Sequence, residues 1–245
     1  MDHVAEMAGR IAAVRGRIAE AAAAAGRDPA EVRLVAVSKT MPADAVRSAY
    51  SAGVRDFGEN YVQELRQKAE LLADLPDLRW HLIGHLQRNK ARHAAPLVSV
   101  VHTVDSADLA RELGRRVSSV PEVRRFPLRA RPPRDRLPVL VEVNLGGEEQ
   151  KAGCEPGELG ALLTAIEDEP TLELGGLMTV PPATDDPADA RPFFQRLAEL
   201  REEHGGAERL PELSMGMTGD LEVAVTAGAT IVRVGSAIFG ARPAR

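Results

Sequence analysis

The first strand of the predicted fold lies in VRLVAVSK, residues 32–39, a mostly apolar run that ends in a lysine. Pro42 follows this run, and the apolar spacing beyond it predicts a helix from Ala43 to about Gly53. The same order of an apolar run and a helical pattern recurs along the chain. Near-continuous apolar strands that alternate with helices are typical of a parallel sheet covered by helices.

Eight such strand–helix units are predicted. The predicted strands are 32–39, 56–60, 79–84, 98–104, 138–144, 172–179, 212–217 and 231–235. The predicted helices are 43–53, 61–74, 89–95, 107–117, 155–169, 188–204 and 221–227, with a helical turn at Ser236. Eight units in 245 residues fit a closed (β/α)8 TIM barrel better than an open doubly wound sheet, which usually has fewer strands and a Gly-rich first turn.

The predicted organisation is one barrel domain over residues 1–245 with an additional amphipathic helix at the N-terminus. That helix runs from Asp2 to Ala25, and residues 1–28 are expected to pack on the barrel. Residues 121–138 interrupt the pattern with five prolines and six arginines. We interpret them as a solvated insertion before the fifth strand, in preference to a basic docking loop, because such a loop lies on the barrel face away from chemistry.

Composition excludes several classes of function. Aromatic residues make up only 3% of the chain and the formal net charge is −5, which disfavours binding to nucleic acid or other polyanions. The longest apolar runs are too short for a membrane span, and the acidic N-terminus lacks the apolar segment of a signal peptide. Cys154 is the only cysteine, so the sequence predicts a reduced, cytoplasmic protein without internal disulfides or a cysteine-based metal cluster.

Lysine is rare in this chain, because only four of the 31 basic residues are lysines: Lys39, Lys68, Lys90 and Lys151. An amine can lose its proton and form a Schiff base with an aldehyde, whereas a guanidinium cannot. Lys68 is expected to be an ordinary surface lysine. Lys151 follows the fifth strand, where a solvated loop lysine is favoured over a secondary aldehyde acceptor or phosphate contact.

Lys39 is placed at the carboxyl end of the first strand, where (β/α)8 barrels carry their active sites. Alternation puts Lys39 on the same face as Val35 and Val37, so its amine is predicted to point into the barrel mouth. Partial burial there would favour the neutral amine. The alternative is a strand-end lysine whose amine extends into solvent.

The seventh and eighth strands predict a phosphate site. IVRVGS, residues 231–236, places Arg233 and Gly235 on one face, next to the first strand in a closed barrel. The helical turn at Ser236 offers free N–H groups, and LSMGMT, residues 213–218, forms a second loop of small and hydroxyl residues. A Schiff-base lysine near such a cradle points to pyridoxal phosphate.

Six segments, which extend in order over nearly the whole chain, resemble those of the pyridoxal-phosphate homeostasis proteins, single-domain relatives of the barrel of bacterial alanine racemases. They are AVSKT around Lys39, FGENYVQE from Phe57, WHLIGHLQRNK from Trp80, LMTVPP from Leu177, LSMGMTGD from Leu213 and VRVGSAIFGAR from Val232. The resemblance implies a (β/α)8 barrel with pyridoxal phosphate on Lys39 and Arg233 on the pyridine nitrogen. It also implies phosphate contacts from Ser214, Met215, Gly235 and Ser236, with Asn60 beside the cofactor. The Arg/Pro-rich stretch is longer than is usual in the family, which leaves the local geometry there open.

Other chemically capable residues have simpler interpretations. His81 and His85 are predicted to share one face of a strand, but without a third ligand at suitable spacing we favour core or loop histidines over a metal site. Cys154 has no evident base and is expected to be an inert buried thiol. For Tyr61, packing against the barrel wall is favoured over acid–base chemistry.

Two functions are compatible with these residues. The resemblance implies a carrier that holds pyridoxal phosphate and delivers it to enzymes inside the cell. The alternative is an amino-acid racemase, which needs a second base such as the tyrosine that alanine racemases supply from a further domain. The chain ends ten residues after Gly235 and contains only Tyr50 and Tyr61, so we favour a monomeric carrier without catalytic residues.

Overall fold

A closed barrel of eight parallel strands forms the centre of the computed structural model, which describes residues 2–119, 135–147 and 152–240. The strands are β1 (Arg33–Val37), β2 (Asp56–Glu59), β3 (Arg79–Leu82), β4 (Val100–Val104), β5 (Leu137–Glu142), β6 (Leu172–Met178), β7 (Glu212–Ser214) and β8 (Ile231–Val234). Each strand pairs with its sequence neighbours, and β8 pairs with β1 to close the barrel. The (β/α)8 prediction is therefore confirmed.

The helices surround the barrel. They are α1 (Asp2–Ala24), α2 (Ala43–Ser51), α3 (Val62–Leu71), α4 (Ala91–Ala94), α5 (Ala107–Val117), α6 (Leu159–Glu167), α7 (Arg191–Glu203), α8 (Gly206–Arg209), α9 (Leu221–Thr226) and α10 (Ser236–Phe239). The short helix α8, between α7 and β7, was not predicted. Residues 121–134 of the Arg/Pro-rich stretch lie outside the described residues, and Pro138 at its end belongs to β5.

The predicted N-terminal helix is present as α1, and it packs against α2, α9 and α10. Met7, Ile11, Val14 and Ile18 bury the predicted apolar face, whereas Val4 in the first turn is exposed. Arg17 fixes the helix further, because its guanidinium pairs with Glu222 and donates to the backbone carbonyl of Thr218 at 2.9 Å. The helix therefore also holds the loop that follows β7.

Two apolar layers share the core. The larger layer lies between the strands and the helices, while a smaller one fills the barrel interior with Val35, Val100, Leu140, Met178 and Ile231. Val35 points inward as predicted, and strand alternation places Val37 on the same face. The interior is thus packed and opens only toward its ends.

Seven of the eight strands end one to three residues earlier than their sequence pattern predicts, and the early ends of β1 and β7 shape the site. β1 stops at Val37 instead of Lys39, and Thr40 just beyond it has φ = 66°, a left-handed conformation that is strained for a β-branched residue. β7 stops at Ser214 instead of Met217, and Gly216 turns the chain with φ = 92°. Both turns lie at the carboxyl end of the barrel and start the loops that border the cavity described below.

Gly176 is required where β6 approaches β7. It has φ = 145°, and a Cβ there would lie 1.9 Å from the carbonyl oxygen of Glu212. The residue sits next to the register shift between β5 and β6 and keeps Met178 opposite Ser214. Any larger residue would have to separate the two strands.

We expect Gly176→Ala to destabilise the protein by roughly 3 kcal/mol or more, since backbone strain and forced repacking add. Gly228→Ala is the matched control, because Gly228 also has positive φ (102°) but its Cβ would meet only Leu213 Cδ1 at 4.0 Å. The control should cost about 1–3 kcal/mol at most. Urea unfolding of both variants tests this, and equal losses would contradict the close approach.

Candidate functional site

A cavity of about 340 Å³ opens at the carboxyl ends of the strands. Its apolar walls are Val37, Met41, Ile83, Val180, Met217 and Phe239. Its polar side chains are Lys39, Asn60, Thr218, Arg233 and Ser236. A volume of this size and a lining of this mixture suit a small organic ligand.

A second recess of about 450 Å³ lies at the other end of the barrel, between α1 and the first strands. Arg15, Arg33, Arg55 and Arg79 border it, together with Asp56. Arg55 and Arg79 are already paired with Asp77 and Asp56. Because chemistry in (β/α)8 barrels takes place at the carboxyl ends of the strands, we assign the functional site to the smaller cavity.

Five of the seven predicted site residues border this cavity: Lys39, Asn60, Arg233, Gly235 and Ser236. Ser214 and Met215 do not. Ser214 is buried beneath the cavity, while Met215 packs in the layer between strands and helices and donates its N–H to Ile231. The structure therefore does not place these two residues for the predicted phosphate contact.

The loop that carries Lys39 is fixed on both sides of the lysine. Lys39 itself is half-buried and lines the cavity. Ahead of it, the N–H of Ser38 donates to the carbonyl of Gly58 at 2.9 Å. Behind it, the N–H of Thr40 donates to Glu64 Oε2 at 2.7 Å. The strained conformation of Thr40 is thus held by a carboxylate from α3.

Lys68 completes this arrangement, and the prediction that it is a surface lysine is wrong. Its side chain is only 7% exposed, and its ammonium donates to the carbonyl of Ser38 and to Glu59 Oε1, both at 2.7 Å. The hydroxyl of Ser38 donates to the same Glu59 oxygen at 2.6 Å. Helical spacing alone could not reveal this contact, because the partners come from β1 and β2.

Arg233 is the buried cation of the site. Its Nη1 lies 2.7 Å from Ser214 Oγ, and its Nη2 donates to the carbonyl of Thr179 at 3.0 Å. Burial lowers the pKa of Arg233 to about 10, while the charge of Glu142 acts in the opposite direction. The guanidinium is therefore still charged at neutral pH.

The end of the cavity next to α10 is built from small residues. Gly235 approaches β1 closely, since a Cβ on it would meet the carbonyl oxygen of Val37 at 3.3 Å. Ser236 begins α10, and its hydroxyl donates to Thr218 Oγ1 at 3.2 Å. The first N–H groups of a helix have no acceptor within the helix. Hydroxyls and backbone N–H groups thus come together at one end of the cavity.

Three buried polar residues escaped prediction from the sequence. His102 on β4 lies 2.8 Å from Ser214 Oγ through Nδ1, and Glu59 binds Lys68. Glu142 on β5 has a pKa raised to about 7 because it is buried, although the charge of Arg233 lowers it. Each lies in a predicted strand, and although Glu59 belongs to the FGENYVQE segment, the importance of all three depends on partners from other elements.

The remaining candidates are not brought to the cavity. His81 is buried, whereas His85 follows β3, is 54% exposed and pairs with Asp105, so the two histidines do not share a face. Across the described ranges, His, Cys, Asp and Glu form no group suited to a metal ion.

Cys154 is buried, and burial raises the pKa of its thiol to about 12. Tyr61 is 51% exposed and does not pack as predicted. Lys151 lies outside the described residues.

Comparison with known proteins identifies the family. The model of the alanine racemase N-terminal domain matches residues 10–243. The pyridoxal phosphate homeostasis protein of Pseudomonas aeruginosa is 48% identical over 237 residues, which is 96% of both chains. The chain belongs to the pyridoxal phosphate homeostasis family.

Two solved structures extend the comparison. PipY of Synechococcus elongatus, solved with pyridoxal phosphate (PLP) bound, is 38% identical with a TM-score of 0.77, over 96% of this chain and all of PipY. Alanine racemase from Corynebacterium glutamicum is 18% identical with a TM-score of 0.66, over 98% of this chain and 61% of the racemase. The second likeness shows the shared barrel fold. No helix in the described residues is long and apolar enough to cross a membrane.

We expect Lys68→Met to destabilise the protein by about 3–5 kcal/mol, because it leaves the Glu59 carboxylate buried without its partner. Burial already raises the pKa of Glu59. The double variant Lys68→Met/Glu59→Gln should regain part of this loss, since a neutral amide is less costly to bury. Lys90→Met is the control and should stay within about 0.5 kcal/mol of the parent. Urea unfolding measures all three, and a loss below about 1 kcal/mol for Lys68→Met would contradict the buried pair.

Proposed function

We propose that this protein binds pyridoxal phosphate in the cavity at the carboxyl end of the barrel and serves in its intracellular homeostasis. The observation that carries the proposal is the presence of an amine and a buried guanidinium, Lys39 and Arg233, in one cavity with a cradle of hydroxyl and N–H groups. Among the described residues, those that line the cavity include no carboxylate. Such a cavity attracts an anionic ligand that carries an aldehyde and a hydrogen-bond acceptor.

The residues present fit this ligand. Lys39 would hold the aldehyde carbon as a Schiff base, because it is the lysine that borders the cavity in the described residues. Arg233 would donate to the ring nitrogen. Gly235, Ser236 and Thr218 would bind the phosphate, with Thr218 in the role first expected of Ser214 and Met215.

Asn60 supports the fit independently. Its Oδ1 is buried and has no hydrogen-bond partner within the structure as described, although the residue borders the cavity. Buried polar atoms are rarely left without a partner. A ligand with a donor on this side, or a water bound with it, would satisfy the amide.

We propose that the protein carries the cofactor and does not convert amino acids. When bound, pyridoxal phosphate supplies an aldehyde for amines and a ring that accepts electron density, most strongly when its nitrogen is protonated. Arg233 keeps its own proton, so the ring nitrogen would receive a hydrogen bond instead of a proton. The names of the relatives agree with this role.

An amino-acid racemase is the second candidate, favoured by the barrel it shares with alanine racemase. A two-base racemase needs a second acid–base group besides the lysine. Neither tyrosine is placed for it: Tyr50 binds Asp77 on the outside of the barrel, and Tyr61 is exposed and absent from the lining. The described part of the site therefore supports the carrier.

We expect purified protein incubated with pyridoxal phosphate to absorb visibly, and borohydride reduction to attach the label to Lys39. Lys39→Ala should abolish the covalent label, and Lys90→Ala, the matched control, should keep it. Peptide mapping by mass spectrometry measures the site. A label on Lys90 or Lys151 alone would show that Lys39 is not the acceptor.

We expect the loaded protein to exchange the α-proton of amino acids for deuterium no faster than free pyridoxal phosphate at the same concentration, because Arg233 leaves the ring nitrogen unprotonated. Proton NMR in D2O with a panel of L- and D-amino acids measures the rate. Sustained exchange at about 1 per second or faster would be enzyme-like and would favour the racemase.

A further inference from the structure

A chain of buried polar side chains crosses the barrel interior from β2 to β8. It consists of Asp56, His81, His102, Ser214 and Arg233, and we refer to it as the buried polar chain. His81 Nε2 lies 3.0 Å from Asp56 Oδ1, and His81 Nδ1 lies 2.9 Å from His102 Nε2. His102 Nδ1 lies 2.8 Å from Ser214 Oγ, which is 2.7 Å from Arg233 Nη1. The two histidines and Ser214 are completely buried.

The two ends of the buried polar chain have fixed hydrogen-bonding roles. Arg79 binds both oxygens of Asp56, at 2.6 and 2.7 Å. The bond from His81, together with Arg79, keeps the pKa of Asp56 well below its ordinary value in spite of burial, so this carboxylate can only accept. Arg233, at the other end, can only donate.

These ends determine the position of every proton between them. The Asp56 carboxylate accepts from His81 Nε2–H, so the Nδ1 of a neutral His81 accepts from His102 Nε2–H. The Nδ1 of a neutral His102 then accepts the hydroxyl proton of Ser214. The Ser214 oxygen accepts in turn from Arg233. Burial lowers the pKa of both imidazoles, in agreement with the neutral state.

We infer that the buried polar chain runs in this single direction and serves to position Arg233 for the ring nitrogen of pyridoxal phosphate. The inference rests on the proposed function and adds Ser214 and His102 to it as positioning residues. Ser214 cannot donate to a phosphate, because its one proton is given to His102. Its oxygen instead fixes Nη1, while the carbonyl of Thr179 fixes Nη2.

The arrangement leaves Arg233 only one productive orientation. Its two terminal nitrogens are held from inside the barrel, and the side chain still borders the cavity. Because both histidines are neutral, no second positive charge lies beside the guanidinium of Arg233. Such a charge would repel the guanidinium and weaken the hydrogen bonds that hold it. A Ser214 hydroxyl proton turned toward Arg233 would face another donor, so the opposite direction is excluded at this point of the chain.

The first test needs no cofactor. Long-range ¹H–¹⁵N NMR of the apoprotein at pH 7 reports the tautomer of each histidine, with His102 assigned by comparison with His102→Gln. Two neutral Nε2–H rings at His81 and His102 are expected. An Nδ1–H tautomer or an imidazolium at either position would overturn the assigned direction, whether or not the protein binds pyridoxal phosphate.

The second test measures the positioning role. Ser214→Ala removes the acceptor of Arg233 and should weaken binding of pyridoxal phosphate at least about tenfold, the effect of losing the alignment of one charge-assisted hydrogen bond. The ¹⁵N shift of the labelled pyridine nitrogen should also move away from its hydrogen-bonded value. Ser99→Ala is the matched control, because Ser99 is a buried serine outside the buried polar chain. Ser214→Thr, which retains the hydroxyl, should restore the parent ¹⁵N shift.

Stability is measured for all variants, and His102→Gln replaces Ser214→Ala if the latter does not fold. Parent-like affinity and ¹⁵N shift in the folded Ser214→Ala or His102→Gln protein would overturn the positioning role. If the parent protein itself binds no pyridoxal phosphate, the proposed function fails and the positioning role fails with it. The NMR result on tautomers then still decides the direction of the buried polar chain.

Discussion

A positive charge held inside the barrel is the constraint on which the rest of the site depends. Arg233 is only 4% exposed, and no carboxylate in the described residues bonds to it directly. Removing such a charge from water costs several kcal/mol unless the N–H groups of the guanidinium donate hydrogen bonds to acceptors within the protein. Ser214 and Thr179 provide two acceptors, and Ser214 can accept only because His102 takes its proton. The interior of β3, β4 and β7 is therefore polar where a barrel core is ordinarily filled with aliphatic side chains.

Lys39 is positioned differently from Arg233, through hydrogen bonds to the backbone next to it. In the proposed function its amine takes the aldehyde, and the backbone around it is fixed through Ser38 and Thr40. The groups that do this are Glu59 at the end of β2 and Glu64 and Lys68 on α3. Arg233 is fixed by its side chain from within the barrel, and Lys39 by its backbone through groups of β2 and α3. Lys39 and Arg233 are thus positioned by separate sets of residues, and a change in one set need not disturb the other.

Sequence patterns predicted what depends on local periodicity. Alternation along residues 32–39 and 231–236 placed Lys39 and Arg233 correctly toward one cavity, because a closed barrel makes the first and last strands neighbours. Patterns failed where partners are distant. Ser214 was interpreted as a phosphate donor because it ends a strand of the usual phosphate loop, but its partner His102 is 112 residues away. Lys68 was interpreted as solvated because its acceptors belong to other elements. The ends of β1 and β7 were overestimated because a left-handed threonine or glycine turns the chain without changing its apolar pattern.

The fixed loop around Lys39 and the fixed guanidinium of Arg233 both set the geometry of the cavity before a ligand binds, and this bears on the proposed role. The left-handed conformation of Thr40 costs of order 1–3 kcal/mol of folding free energy, and hydrogen bonds such as that from its N–H to Glu64 offset this cost before a ligand binds. A loop and a guanidinium that are already ordered add little entropic cost to binding, so affinity follows from the bonds formed. The same fixed guanidinium keeps its proton and, in the proposed complex, would leave the ring nitrogen without one. In the proposed function, geometry that favours tight binding would therefore also withhold the electron demand that carbanion chemistry needs, and Arg233 alone would account for both holding the cofactor and leaving amino acids unchanged.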